Sequence, residues 1–177
     1  MKKRTKGTLP AVGLALLLLG LAAGLCFGKV YAAGPEAAAL LSGTEAVRTE
    51  AIRSGWRLDG PGETDALVFY PGAKVEPTAY LPLLTSLAED GVDCFLVRMP
   101  LNMAFLDMNA VARLQRAYPY GHWYVGGHSL GGACAALYAA KHGAELKGLV
   151  LLWRPMPPSR WTRGSPFWSS MAARMGS

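Results

Sequence analysis

One serine stands where glycines crowd it from both sides. In 120-YGHWYVGGHSLGGACAALYAAKHG-143 a short apolar run, Trp123 to Val125, leads into Gly126 and Gly127. His128, Ser129 and Leu130 follow, then Gly131 and Gly132, then an alanine-rich helical stretch. Gly127, Ser129 and Gly131 have the spacing G-x-S-x-G. A sharp strand-to-helix turn pushes such a serine into a strained backbone conformation. Glycines two residues to either side let strand and helix approach without a Cβ clash. The helix start then offers partial positive charge and free N–H groups beside the hydroxyl. The Leu130 N–H is placed to stabilise an oxyanion. A second donor is expected from the loop after the strand at 65–70, at Ala73 with its neighbour Gly72. The competing reading of Ser129 is a helix N-cap in a tight turn.

A serine nucleophile needs a base. After Ser129 the chain offers only His142 and Glu145, and no aspartate follows Asp107. His142 falls at the far end of the elbow helix, roughly 18 Å from the serine at 1.5 Å per residue. Glu145 falls in the next loop. His128 is expected to turn into loop packing, and His122 opens its strand at the opposite end of the sheet.

The elements that would hold Ser129 read as an alternation. Residues 46–62 form an edge strand or hairpin. DALVFY (65–70) is a strand, PGAKVEP (71–77) a loop, and AYLPLLTSLAEDG (79–91) a helix. VDCFLVRMP (92–100) is a strand and LNMAFLDMNAVARLQRAYP (101–119) a helix. HWYVGGHS (122–129) is a strand, LGGACAALYAAKHG (130–143) a helix and LKGLVLL (146–152) a strand. Solid apolar strands separated by helices predict a mostly parallel sheet covered on both faces, a doubly wound α/β architecture. Ligands of such sheets sit at the carboxyl ends of the strands, where Ser129 and the PGAKVEP loop both fall.

From about Ala46 to Leu152 the chain resembles the α/β-hydrolases, in particular small bacterial membrane-anchored or secreted members. VFYPGAKVEPTAYLPLL, FLVRMPLNMAF and GGHSLGGACAALYA carry the likeness to that group's oxyanion loop, mid-sheet strand and nucleophile elbow. The resemblance implies that Ser129 is the nucleophile and that Ala73 and Leu130 donate to the oxyanion. It implies acyl transfer to water on a small-molecule ester or similar carbonyl. It also implies a triad acid and then a histidine after the elbow, which this chain lacks. A non-catalytic, hydrolase-like binding or remnant domain is the other reading of the same residues.

The net charge of +6 is unevenly spread. Lys2, Lys3, Arg4 and Lys6 open the chain, and Arg154, Arg160, Arg163 and Arg174 fall in its tail. No basic stripe with interleaved aromatics lies on a folded element, which argues against a nucleic-acid partner. Residues 1–8 read as a basic cytoplasmic end. Residues 9–28 read as an uncleaved transmembrane signal anchor, since about 20 apolar residues span a bilayer. The domain would then lie outside the cytoplasm, at the cell membrane. The alternative is secretion after cleavage at Val30-Tyr31-Ala32. Residues 29–45 read as a linker with a short helix. Cys26, Cys94 and Cys134 read as small buried hydrophobes rather than ligands. No metal or cofactor is expected: no His or Cys pair has ligand spacing, and GGHSLGG lacks the G-K-[ST] of a phosphate loop.

After Leu152 the text changes character. Residues 153–177 hold three of the five tryptophans among clustered Pro, Ser and Arg. Tryptophan and methionine have single codons, so the frame one base earlier is partly fixed. There Trp161-Thr162 becomes Asp, Phe167-Trp168 becomes Leu, and Met171-Ala172 and Met175-Gly176 become Gly. The remainder can read G-L-P-V-L-V-I-Y-G-S-x-D-G, an apolar strand ending in a loop with an aspartate. The tail is therefore expected to be disordered and to replace the family's next strand and triad acid through a one-base shift near codon 152. A natural tail with an interfacial tryptophan belt is the alternative.

Overall fold

A computed structural model describes residues 30–152 and, before them, Val12, Gly13, Leu16, Leu17 and Gly20. The expectations for residues 153–177 and for most of 9–28 fall outside the described residues. Among the described residues no helix is long and apolar enough to cross a membrane. The compact unit begins at Tyr31.

Its elements are α1 (Pro35–Ala39), β1 (Arg48–Ile52), β2 (Gly55–Asp59), β3 (Asp65–Tyr70), α2 (Leu81–Glu89), β4 (Val92–Val97), α3 (Ala110–Ala117), β5 (His122–His128), α4 (Leu130–His142) and β6 (Gly148–Leu152). The six strands form one sheet in the order β1-β2-β4-β3-β5-β6. The first two make an antiparallel hairpin, β2 runs antiparallel to β4, and the remaining pairs are parallel.

The pattern of β3 explains its place at the centre. Ala66 through Tyr70 are all fully buried. Leu67 and Phe69 pack with Leu81, Leu84 and Leu87 of α2 on one face. Ala66, Val68 and Tyr70 pack with Val111 and Leu114 of α3 and Cys134, Ala135 and Tyr138 of α4 on the other. A strand covered on both faces has no solvent side to keep polar, hence the unbroken apolar run. Cys94 and Cys134 are free and buried, as small core residues.

One predicted element differs. The helix expected over 101–119 is helical only at α3. Before it come two 3₁₀ turns, Pro100–Asn102 and Ala104–Leu106. Leu101 and Asn102 have positive φ, 52° and 55°, which breaks any helix there. Leu101, Phe105 and Leu106 are exposed.

At the amino end of β4 the hairpin is tied in by an ionic knot. The buried Asp93 carboxylate accepts from Gly60 N–H at 2.8 Å, from Arg57 at 3.1 Å and from the Tyr120 hydroxyl. Arg57 also donates to Asp59 and to the Tyr120 oxygen. Burial pushes the Asp93 carboxyl above its ordinary value, while the bonds from Tyr120, Gly60 and Arg57 pull the other way. Removing one partner of such a pair leaves a charge stranded in the interior, which costs about 3 kcal/mol or more. Arg57→Ala should therefore lower the urea midpoint by that equivalent. A shift worth less than about 1 kcal/mol, the range of an exposed pair, would show that the knot is incidental.

Candidate active site

β5 ends at His128, α4 begins at Leu130, and Ser129 makes the corner. Its backbone sits at φ 53°, ψ −121°. This is a strained conformation for any residue with a Cβ. Ser129 holds the N-cap position of α4, yet its side chain makes no capping bond. Its backbone oxygen accepts the first helical bond, from Ala133 N–H at 3.0 Å. The N–H groups of Leu130, Gly131 and Gly132 thus have no acceptor within the helix. The serine is exposed.

The flanking glycines are steric necessities. A Cβ on Gly127 would lie 2.6 Å from the Gly131 carbonyl carbon and 2.7 Å from the Tyr70 oxygen. A Cβ on Gly131 would lie 2.2 Å from the Tyr70 oxygen and 2.4 Å from the Pro71 oxygen. The first turn of α4 therefore presses against the carboxyl end of β3, and only glycine leaves room.

That contact brings the loop after β3 beside the elbow. Gly72 sits against His128: a Cβ there would be 2.7 Å from its Nδ1. The Gly72 N–H donates to the Tyr80 hydroxyl at 3.1 Å. No described residue accepts from the N–H of Ala73 or of Leu130. Lys74 follows at φ 60°. Every non-glycine residue with positive φ among those described (Lys74, Leu101, Asn102, Ser129) lies on the loops leaving β3, β4 and β5. Backbone strain gathers at functional ends of folds, and here it gathers at the carboxyl edge of the parallel strands.

All three histidines are described, and no hydrogen bond joins any of them to Ser129. His128 Nδ1 lies 2.8 Å from the Tyr80 hydroxyl, and burial pulls its pKa down. His142 stacks on Tyr138 and faces Glu145 at 3.4 Å, at the far end of α4. His122 faces Asp65 at 3.1 Å, where β5 and β3 begin. Among the described residues no cluster of His, Cys, Asp and Glu could hold a metal ion. Two clefts, of about 520 Å³ around the Arg57 knot and about 600 Å³ beside Arg98 and Arg113, include neither Ser129 nor Gly72. The strained Ser129 backbone and the unclaimed N–H groups of Leu130 and Ala73 lie instead at the elbow and the loop after β3.

No protein of curated function matches the chain. Among solved structures, an epoxide hydrolase of Vigna radiata is similar at 13% identity and TM-score 0.48, over 66% of this chain and 41% of that one. A laboratory-evolved variant of potato epoxide hydrolase is similar at 18% and 0.47, over 64% and 41%. The Cif epoxide hydrolase of Acinetobacter nosocomialis is similar at 17% and 0.46, over 64% and 40%. The chain spans less than half the length of each. The model of the alpha/beta hydrolase family matches residues 66–162, more than half of the sequence, and takes in the β3 loop and the elbow. The chain belongs to the alpha/beta hydrolase family.

Proposed function

We propose that the protein is a serine hydrolase acting on an ester or similar acyl substrate, with Ser129 as nucleophile. The observation that carries this is the strained Ser129 backbone, paired with a hydroxyl that makes no capping bond. An N-cap serine would spend its oxygen on the helix; this one leaves it to solvent. Attack by Oγ on the acyl carbon places a negative charge on the carbonyl oxygen. The N–H groups of Leu130 and Ala73, which no described residue claims, are the donors proposed for it. The proton leaving Oγ needs a base. His128 is engaged with Tyr80, and His122 and His142 face Asp65 and Glu145. Base and acid are therefore proposed to be encoded after Leu152 in the alternative frame, leaving this copy impaired.

The docking of residues 31–33 favours a retained N-terminal segment. Tyr31 N–H donates to the Lys74 oxygen at 2.7 Å, and Glu76 N–H donates to the Tyr31 oxygen at 2.9 Å. Ala33 N–H donates to the Glu76 carboxylate at 2.8 Å. Cleavage after Ala32 would remove Tyr31 and with it both backbone bonds to the loop after β3. We propose a single-pass membrane protein with the domain outside the cytoplasm.

A second reading, a non-catalytic remnant that only binds, draws on the missing base. Incubation with a fluorophosphonate followed by peptide mass spectrometry separates the two. An adduct on Ser129, absent from Ser129→Ala, supports the hydrolase. No adduct, even with the alternative frame restored, rejects it.

A further inference from the structure

We infer that Tyr80 is a positioning residue: its hydroxyl latches the loop after β3 to the nucleophile elbow, through Gly72 on one side and His128 on the other. The inference rests on the reading of Ser129 as nucleophile, since it names what holds the two halves of the oxyanion site together.

The two proposed donors come from different places. Leu130 belongs to the start of α4, while Ala73 belongs to a loop with a left-handed residue, Lys74, beside it. An oxyanion site works when its donors are held in place before the charge develops, so something must fix one against the other. The Tyr80 oxygen lies between the two segments. It accepts the Gly72 N–H at 3.1 Å and meets His128 Nδ1 at 2.8 Å. Gly72 and His128 are the immediate neighbours of Ala73 and Ser129.

The position of Tyr80 is itself fixed. Its side chain is nearly buried, and its ring packs on Phe69 at 5.0 Å and on His128 at 5.9 Å between centroids. It sits in the 3₁₀ turn Pro77–Tyr80 that leads into α2. The hydroxyl has one proton. No described residue other than His128 is placed to accept it. The Tyr80 O–H therefore donates to Nδ1, which leaves the imidazole neutral with its proton on Nε2. Burial acts in the same sense, pulling His128 down and pushing Tyr80 up. The absence of a Cβ on Gly72 completes the arrangement, since a methyl there would collide with Nδ1 and crowd the Tyr80 oxygen at 3.1 Å.

The test uses the full chain in detergent micelles, with ¹⁵N-labelled histidine and glycine. The wild-type protein should show His128 with an unprotonated Nδ1 and a protonated Nε2, and a Gly72 amide protected from exchange. Tyr80→Phe keeps the ring and removes the oxygen. It should mix the tautomers and speed Gly72 exchange at least about 10-fold, the equivalent of one lost hydrogen bond. His128→Asn, whose amide oxygen can stand where Nδ1 stands, should keep Gly72 protected, whereas His128→Leu should not. The fluorophosphonate rate at Ser129 should fall by about 10- to 100-fold in Tyr80→Phe, the penalty for a donor displaced by about 1 Å. A wild-type Nδ1 that carries the proton, or a Tyr80→Phe protein with unchanged imidazole and Gly72 signals, overturns the latch. If the wild-type chain forms no adduct, the rate is read in the chain with the alternative frame restored; no adduct there rejects the nucleophile reading, and the imidazole and Gly72 signals still decide the latch.

Discussion

Gly131→Ala is expected to destabilise this domain severely. The new Cβ would fall 2.2 Å from one backbone oxygen, 2.4 Å from another and 2.7 Å from a backbone carbon. None of these is the tip of a flexible side chain. Either α4 lifts away from β3 or the end of β3 is pushed out of the sheet. Both undo the packing of the central strand. Overpacking costs about 1–3 kcal/mol and occasionally more, and a clash with rigid backbone belongs at the upper end, against a total stability of about 5–15 kcal/mol for an ordinary domain. Gly143→Ala is the matched control. It sits just past the same helix at φ −57°, with nothing within 4 Å of an added Cβ. There alanine should be neutral or stabilising by up to about 1 kcal/mol. Urea unfolding of the two variants measures the difference. Equal midpoints would mean that the tight contact between α4 and β3 does not exist in solution.

The second large effect concerns the missing base. A gene repaired by one base near codon 152 is expected to yield a chain with an aspartate loop and, further on, a histidine. Its Ser129 should then react with a fluorophosphonate, and turn over a simple ester, at least about 10³-fold faster than the present chain. The magnitude follows from what triads lose when a member is removed while the oxyanion donors stay. The gain should vanish in Ser129→Ala. Sequencing the DNA across codons 145–177 and beyond comes first, because it shows whether such a frame continues to a histidine. A repaired chain no more reactive than the present one would shift the weight to a domain that binds without catalysis.

How far the sequence could be read depended on distance along the chain. β3 was legible because burial on both faces demands an unbroken apolar run, and DALVFY has one. The elbow was legible because its steric demand is local: two glycines must flank Ser129 at a fixed spacing. The start of 101–119 was misread because periodicity registers apolar residues, not buried ones. Leu101, Phe105 and Leu106 repeat like a helical face but point to solvent. The contact of Tyr80 with His128 joins residues 48 apart, and the bonds of Asp93 to Arg57 and Tyr120 join residues 36 and 27 apart. No short pattern encodes such pairs. They arise when the sheet order sets β4 between β2 and β3, and β5 beside β3.

That sheet order also sets a timetable during synthesis. β1, β2, β4 and β3 are contiguous in the sheet and all come from residues 48–97. Four of the six strands can therefore assemble before the serine has been translated. The growing edge is then β3, bare until β5 arrives about 25 residues later. At about 5–20 residues per second that edge stays open for roughly one to five seconds. For that interval the most apolar strand of the domain is also its least protected. The step that ends the exposure is the pairing of β5, which carries Ser129 into position, so the elbow is put in place by the same event that makes the nascent chain safe from strangers.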